Sequence, residues 1–435
     1  MFKGPQINKL GGNLGGRSVN TDKTYGLIVP GVAVAGKLAL GDIIELLQPS
    51  DADAYGLTAA YDAANKVLIR YHIEEFFQYC PDGDLFVMLV PQGSKLKDIC
   101  DHTALMAPGS EDYSSGPGAL VALMTDENTR REIKKVGVVL NPAIGYVSVL
   151  ENGLDKDVLD AIPTAQATAD YLKTQFIYLD NVMIEGRELN GTIADMKDLR
   201  TLSAPNVSVV IAADPAIRAL DAAYTKYAAV GTALGGLAIR KVSECLGSVA
   251  IVNPPDYAKA YEYFSISNPG AGKWLTAMLS SGQKFASLSA ADQKSLTDKG
   301  YVYIGSFADY PGLYFNGSPT CIAQSDDYSY IERNAVWDKA ARYIRQALIP
   351  KIRAKYKKNP TTGYATATTI ANWQKAVEKK LELMVNDDEL SAPGVYIDPA
   401  QAPNQDTPLQ VQVELVMDGI LMEINVNLSL ANSLL

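Results

Sequence analysis

Four short apolar runs, each closed by a proline, constrain this chain more than any other feature. They are LFVMLVP (Leu85 to Pro91), KVGVVLNP (Lys135 to Pro142), NVSVVIAADP (Asn206 to Pro215) and GSVAIVNPP (Gly247 to Pro255). A continuous apolar run of this length suits a strand buried on both faces, and the proline after it cannot donate to a further ladder bond. Helix-like stretches separate the runs: Asp126 to Lys135, Pro163 to Thr174, Thr192 to Leu199, and a long one from Pro215 to about Leu246. Strands alternating with helices predict βαβ units. The expected fold class is α/β, or α+β mixed, with an open mixed sheet, flanking helices and a second, smaller domain.

The pattern divides the chain into four parts. Residues 1–24 hold five glycines and little periodicity, and read as an N-terminal arm. Residues 25–255 carry the α/β pattern, beginning with YGLIVPGVAV at Tyr25 and a helical stripe between Asp51 and Tyr79 (Ala52, Leu57, Ala60, Ala64, Val67, Leu68). Residues 256–398 form the second domain. Its early part reads as mostly helical, two short strands follow in KGYVYIGSF and GLYFNG, then a helix from about Tyr328 to Lys357 with a break at Pro350, and another from Ala371 to Val385.

Residues 399–435 are a Pro-rich spacer and a β-hairpin arm. Leu409, Val411, Val413, Leu415 and Met417 alternate with mostly polar neighbours, and Ile420, Met422, Ile424, Val426, Leu428 and Leu430 alternate again. Asp418-Gly419 between two period-two runs predicts a two-residue hairpin, because such a turn needs positive φ and glycine supplies it at little cost.

Composition narrows the chemistry. Two His in 435 residues exclude His-rich metal sites. Cys80, Cys100, Cys245 and Cys321 include no close pair, which fits a reducing compartment without a disulfide framework. The net charge of −10 argues against nucleic acid or an anionic membrane as partner. The least polar stretch, Tyr227 to Ile239, is too short for a bilayer, which needs about 20 residues. No membrane insertion by this chain is expected.

Apparent ligand motifs fail on their details. NPGAGKW (Asn268 to Trp274) has Ser267 where a phosphate loop needs its first glycine, and Trp274 where it needs Ser or Thr. GTALGG (Gly231 to Gly236) lacks the dinucleotide spacing and reads as close helix packing. Cys100 and His102 have no second pair to complete a metal site, and His72 sits among apolar neighbours as a core residue. No catalytic, cofactor or metal residue is assigned.

One charge feature stands out. Between Ile331 and Lys358, nine Lys and Arg face only Glu332 and Asp338, so this helix carries +7 and the rest of the chain −17. Arg333, Lys339, Arg342, Arg345, Lys351 and Arg353 are the candidate inter-subunit residues, beside an apolar stripe at Trp337, Ala340, Ala341, Ile344 and Leu348. A solvated basic face is the plainer reading, and pairing with an acidic surface of another copy the sharper one. A tethered hairpin with an open edge also favours self-association, its candidate residues being Leu409, Val411, Val413, Leu415, Asp418, Gly419, Ile424 and Val426. Heterologous contacts of this kind generate rings or helical filaments.

Three stretches resemble a known family: YHIEEFFQYCPDGDLFVMLV (Tyr71 to Val90), GTALGGLAIRKVSECLGSVA (Gly231 to Ala250), and the longer segment from Gly312 to Ile352. In the last, Arg333-Asn334 runs into a basic amphipathic helix. The chain resembles the contractile tail sheath proteins of bacteriophages and prophages, including those of Bacteroidetes-type hosts. The resemblance implies a structural subunit and no enzyme. Copies would form hexameric rings stacked helically around a tail tube protein, with baseplate and tail terminator proteins at the ends. The tail would be assembled in a bacterial cytoplasm and contract to drive the tube through a target envelope. It also implies that the arm around Arg17 to Tyr25 and the hairpin Leu409 to Leu430 exchange strands with neighbours, and that the basic helix meets the tube. The alternatives are a cytoplasmic α/β enzyme with a ligand site at the C-terminal strand ends, near Pro91, Pro142, Pro215 and Pro254, and another tail or baseplate structural protein.

Overall fold

The computed structural model describes residues 21–103, 118–127, 129, 132–189, 192–250, 265–404, 406–424 and 426. Seven strands form the central sheet: β1 (Thr24–Gly31), β2 (Ile43–Leu46), β3 (Asp84–Pro91), β4 (Lys135–Val138), β5 (Asn181–Glu185), β6 (Val207–Val210) and β7 (Tyr301–Val302). Their order is β7-β6-β5-β4-β1-β3-β2, parallel throughout except for β2, which runs antiparallel to β3. This is the expected mixed α/β sheet.

Strand alternation sorts side chains into two cores. Leu27 and Val29 of β1, with Leu85, Val87 and Leu89 of β3, point to one face, where α1 (Ile69–Tyr79) lies. Ile28, Phe86, Met88 and Val90 point to the other, packed against α2 (Ala119–Thr125) and α3 (Lys156–Thr174). Both faces are dry, which is why these strands read as unbroken apolar runs. The run from Gly247 to Pro255 is the exception, because residues 251–264 lie outside the described residues.

Several helices differ from the sequence reading. The 51–79 stripe becomes three helices, divided by left-handed turns at Gly56 and Lys66, with Asp62 accepting the N–H groups of Ile69 and Tyr71. The stretch after Pro215 is also divided. Asp214 and Asp221 each cap a single turn, and α4 covers only Val230–Ala238. The helix expected at Asp126 to Lys135 lies one element earlier, as α2, which Asp126 ends. Helix α3 begins at Lys156 rather than Pro163, because the Asp155 carboxylate accepts the Asp157 N–H and starts it there. Thr192 to Leu199 forms only 3₁₀ turns.

The glycines of α4 do pack closely. A Cβ on Gly231 or Gly235 would strike the α1 backbone at His72 or Phe76.

The C-terminal unit is built from α5 (Ile331–Leu348), α6 (Ala367–Asn386), β8 (Ala392–Tyr396) and β9 (Gln412–Val416). Val336, Ala340, Val377, Leu381 and Met384 form its core, against which Val395, Val413 and Leu415 pack. Among the described residues the expected hairpin is not formed, and Leu428 and Leu430 of its second run lie outside them. Strand β9 pairs with β8, at Val395↔Val413 and Pro393↔Leu415, and residues 420–424 are not in a strand. Gly419 also lacks the positive φ that the expected turn needs. The physical reason is that β8 offers both a ladder and an apolar floor shared with the two helices. The second alternating run offers a ladder alone.

Candidate assembly surface

Helix α5 forms because its apolar residues recur at helical spacing, and it ends at Leu348, since Pro350 has no N–H to continue the ladder and the chain passes into a 3₁₀ segment at Ile349–Lys351. Its basic residues divide between inward and outward roles. Lys339 is nearly buried, its Nζ 2.6 Å from Asp22 Oδ2 and 2.7 Å from Glu389 Oε1. Burial pulls its ammonium down, but the two carboxylates outweigh that and hold it above the usual lysine range. Arg342 Nη1 stands 3.6 Å from the buried Asp180. Within the chain, Lys339 joins Asp22 to Glu389 and Arg342 stands beside Asp180.

The remaining candidates lie further out. Arg333 covers the Tyr330 ring and donates to Asp326 O and Ser329 Oγ. The Arg345 guanidinium lies 3.7 Å over the exposed Phe176 ring. Lys351 and Arg353 are fully outward, beyond the end of α5, as are Lys355, Lys357 and Lys358.

Between α5 and the C-terminal segment runs a groove of about 950 Å³, walled by Trp337, Ala340 and Ile344 on one side and Val413, Leu415 and Met422 on the other. Leu409 and Val411 pack beside Ile370 and Ile397, so the first alternating run belongs to the body of the unit. The described part of the second run is exposed: Met422, Ile424 and Val426 are each more than half open to solvent. Asp418 marks the division, accepting the Ser391 hydroxyl at the start of β8.

Near Pro142, one of the places where an enzyme site was the alternative, buried side chains bond to the chain's own backbone, while Pro254 lies outside the described residues. At the C-terminal end of the sheet, Glu185 accepts the N–H of Leu140 at 2.6 Å and of Ala228 at 2.9 Å, and Asn141 donates to Pro30 O. Burial pushes the Glu185 carboxyl up to about 7, against the charge of Arg187. The phosphate-loop lookalike is a plug: Lys273 Nζ and Trp274 Nε1 donate to the buried Glu75 at 3.1 and 2.9 Å, joined by the Thr232 hydroxyl. Among the described residues no group of three or more His, Cys, Asp or Glu could hold a metal ion, and no helix is long and apolar enough to cross a membrane.

Sequence reasoning missed Asp22, Asp180 and Glu389 as partners of the basic helix. No local signal marks them, since Asp22 is 317 positions from Lys339.

Two family models match, the DUF2586 N-terminal domain over residues 2–318 and the DUF2586 C-terminal domain over residues 327–435. The chain belongs to the DUF2586 family. No curated protein matches this DUF2586 sequence. Among solved structures, it is similar to a chain of the anti-feeding prophage baseplate, at 15% identity, covering 99% of each chain with a TM-score of 0.56. It is also similar to a chain of the sheath complex of an extracellular contractile injection system, PVC, in its contracted state. There the identity is 12%, the coverage 99% of this chain and 97% of that one, and the TM-score 0.54. The DUF2586 chain thus shares the fold of these two chains, the alignment with each covering 99% of it.

Proposed function

We propose that this DUF2586 protein is the structural subunit of a contractile tail sheath. It polymerises around a tail tube in stacked, hexameric rings and contracts to drive the tube through a target envelope. The observation that carries this reading is the end-to-end fold similarity to a chain of the contracted PVC sheath complex, which includes the C-terminal unit. The surfaces are consistent with it. Among the described residues the β8–β9 ribbon has two strands and packs one face on α5 and α6, so a strand from a neighbouring copy can add to it through backbone hydrogen bonds. The exposed residues 420–424 and the segment that precedes β1 are the donors we assign to that exchange.

Lys351 and Arg353 become the basic contact with the tube or an adjacent copy. Contraction then draws its energy from repacking nearly rigid subunits into a lattice with larger, better matched interfaces, the exchanged strands acting as hinges. Partners are further copies of this chain, the tube protein, and baseplate and terminator proteins, in a tail assembled in the host cytoplasm.

The similarity to a chain of the anti-feeding prophage baseplate supports a second reading, a subunit at the baseplate end of such a tail. Negative-stain microscopy of the concentrated protein separates the two. Long tubes or stacked rings are expected of a sheath subunit, single rings of a baseplate subunit, and discrete monomers count against both.

A further inference from the structure

Two neighbouring residues just before β1 reach toward different parts of the chain. Asp22 and Lys23 share a 3₁₀ turn that leads directly into the strand. Lys23 Nζ meets Asp82, just before β3, at 2.6 Å and so holds the α/β body. Asp22 Oδ2 lies 2.6 Å from Lys339 Nζ on α5, in the C-terminal unit. The same ammonium lies 2.7 Å from Glu389 Oε1 and 2.6 Å from Glu389 Oε2. The side chains of Lys339 and Glu389 are each 5% exposed, and that of Asp22 is 21% exposed. Among the described residues no other ion pair reaches Glu389. One cation therefore stands between two carboxylates. Each attracts it, and they repel one another across it, with little water present to screen them.

Glu389 stands at the start of the ribbon. Its N–H donates to Met384 O of α6, the next residue, Leu390, is buried, and the Ser391 N–H donates to Val416 O at 2.9 Å. That last bond opens the β8–β9 ladder, so a change in how firmly Glu389 is held is felt at the first rung. Lys241 Nζ holds the same turn through Asp387 O at 2.8 Å and Asp388 Oδ2 at 3.2 Å. The turn thus keeps a second anchor whatever happens at Lys339.

We propose that Asp22 and Glu389 compete for the Lys339 ammonium, so that withdrawal of the segment before β1 hands the cation to Glu389 and tightens the first rung of the β8–β9 ribbon. The coupling belongs to the single chain, and its use in assembly rests on the strand-exchange reading above. In that reading the segment before β1 is a donor and the ribbon is an acceptor. A subunit that has given up its donor then holds a firmer acceptor edge.

The charges set the sign of the effect. With Asp22 seated, the three groups carry a net negative charge in a poorly solvated place. Without it, Lys339 and Glu389 form a neutral pair. Burial raises the Glu389 carboxyl above its usual range, Lys339 opposes the rise, and the charges of Asp22 and then Asp387 add to it. Withdrawing Asp22 removes a like charge from Glu389 and leaves the attraction of Lys339 whole.

The test is hydrogen exchange, read by mass spectrometry, on the dilute full-length chain and on Asp22→Asn, which keeps the side chain's shape and removes its charge. Exchange of the amides from Leu390 to Tyr396 and from Gln412 to Val416 should slow by about threefold or more in the variant, the size expected of residues that share one partner. Exchange that is unchanged or faster would overturn the proposal. Asp22→Ala, expected to act in the same direction, takes its place if the amide variant does not fold. In a Glu389→Gln background the Asp22→Asn change should leave exchange there as it was. An equal slowing in that background also overturns the competition, because Asp22 would then act by a route that bypasses Glu389. The chain is measured unassembled, so either failure leaves the sheath reading in place, and an absence of tubes leaves the coupling in place.

Discussion

Lys339 and Asp22 lie 317 positions apart in sequence and 2.6 Å apart in space, where Lys339 also meets Glu389. The root of the N-terminal arm, the basic helix and the turn into β8 are thereby fastened at one buried cation. Every prediction about the arms begins from that junction.

Replacing Lys339 with Met leaves two largely desolvated carboxylates without their cation. The expected cost is about 3 kcal/mol in urea unfolding, because breaking a buried pair costs more than the pair itself contributes. The double variant Lys339→Met, Glu389→Leu should recover most of it. A loss below about 0.5 kcal/mol would place Lys339 among ordinary surface pairs.

Gly231→Ala and Gly235→Ala should each destabilise by about 1–3 kcal/mol, since the added methyl meets the backbone of α1 and not a yielding side chain. Gly419→Ala is the matched control. Nothing lies within 4 Å of its Cβ position, so a change within about 0.5 kcal/mol is expected. A large loss at Gly419 would restore the hairpin turn.

The Glu185 carboxyl, pushed up to about 7 by burial, binds a proton more tightly in the folded chain than in the unfolded one. Its contribution is complete below the unfolded value, about 4.3, and is lost as pH rises through 7. Glu185→Gln is expected to be less stable throughout, because its amide opposes one of two N–H donors. Its deficit against the wild type should shrink between pH 5 and pH 8 in thermal melts. A deficit that widens contradicts the assigned direction.

Two truncations separate folding from assembly. Removing residues 420–435 should leave a folded chain that forms no tubes, since the residues removed from the described part are exposed. Removing residues 409–435 strips Val413 and Leu415 from the core of the C-terminal unit and should unfold that unit. Tubes formed by the shorter truncation, seen by electron microscopy, would end the strand-exchange reading.

Charge reversal at the exposed positions, Lys351→Glu with Arg353→Glu, should weaken polymerisation most at low salt and leave monomer stability within about 0.5 kcal/mol. Arg342→Glu should behave differently, because it places an acid beside the buried Asp180 and lowers stability even without assembly. Equal effects of the two changes on sedimentation would return Lys351 and Arg353 to plain solvated residues.

The parallel strands were legible because burial on both faces leaves a local mark, a run of apolar residues closed by a turn. Close packing at Gly231 was legible for a similar reason, since small residues in a helix have few other uses. The Asp418-Gly419 hairpin was misread because a good turn signal is only a local preference. It lost to β8, which lies earlier in the chain and offers β9 both hydrogen bonds and a shared core. The basic helix was located correctly as an element, and its charges were assigned to the outside because nothing near Lys339 in sequence announces Asp22 or Glu389.

The sequence alone determined the α/β class, the central strands β3, β4 and β6, the presence and order of α5 and α6, and the poverty of metal-binding residues. Each of these follows from periodicity or composition, which act within a few residues of one another. Tertiary structure decided the partner of β9, the turn of Lys339 toward Asp22 and Glu389, and the place of Arg342 beside Asp180. Those depend on which distant groups share a desolvated pocket. An uncompensated charge there costs more than any local preference can return, so the long-range pairing prevails.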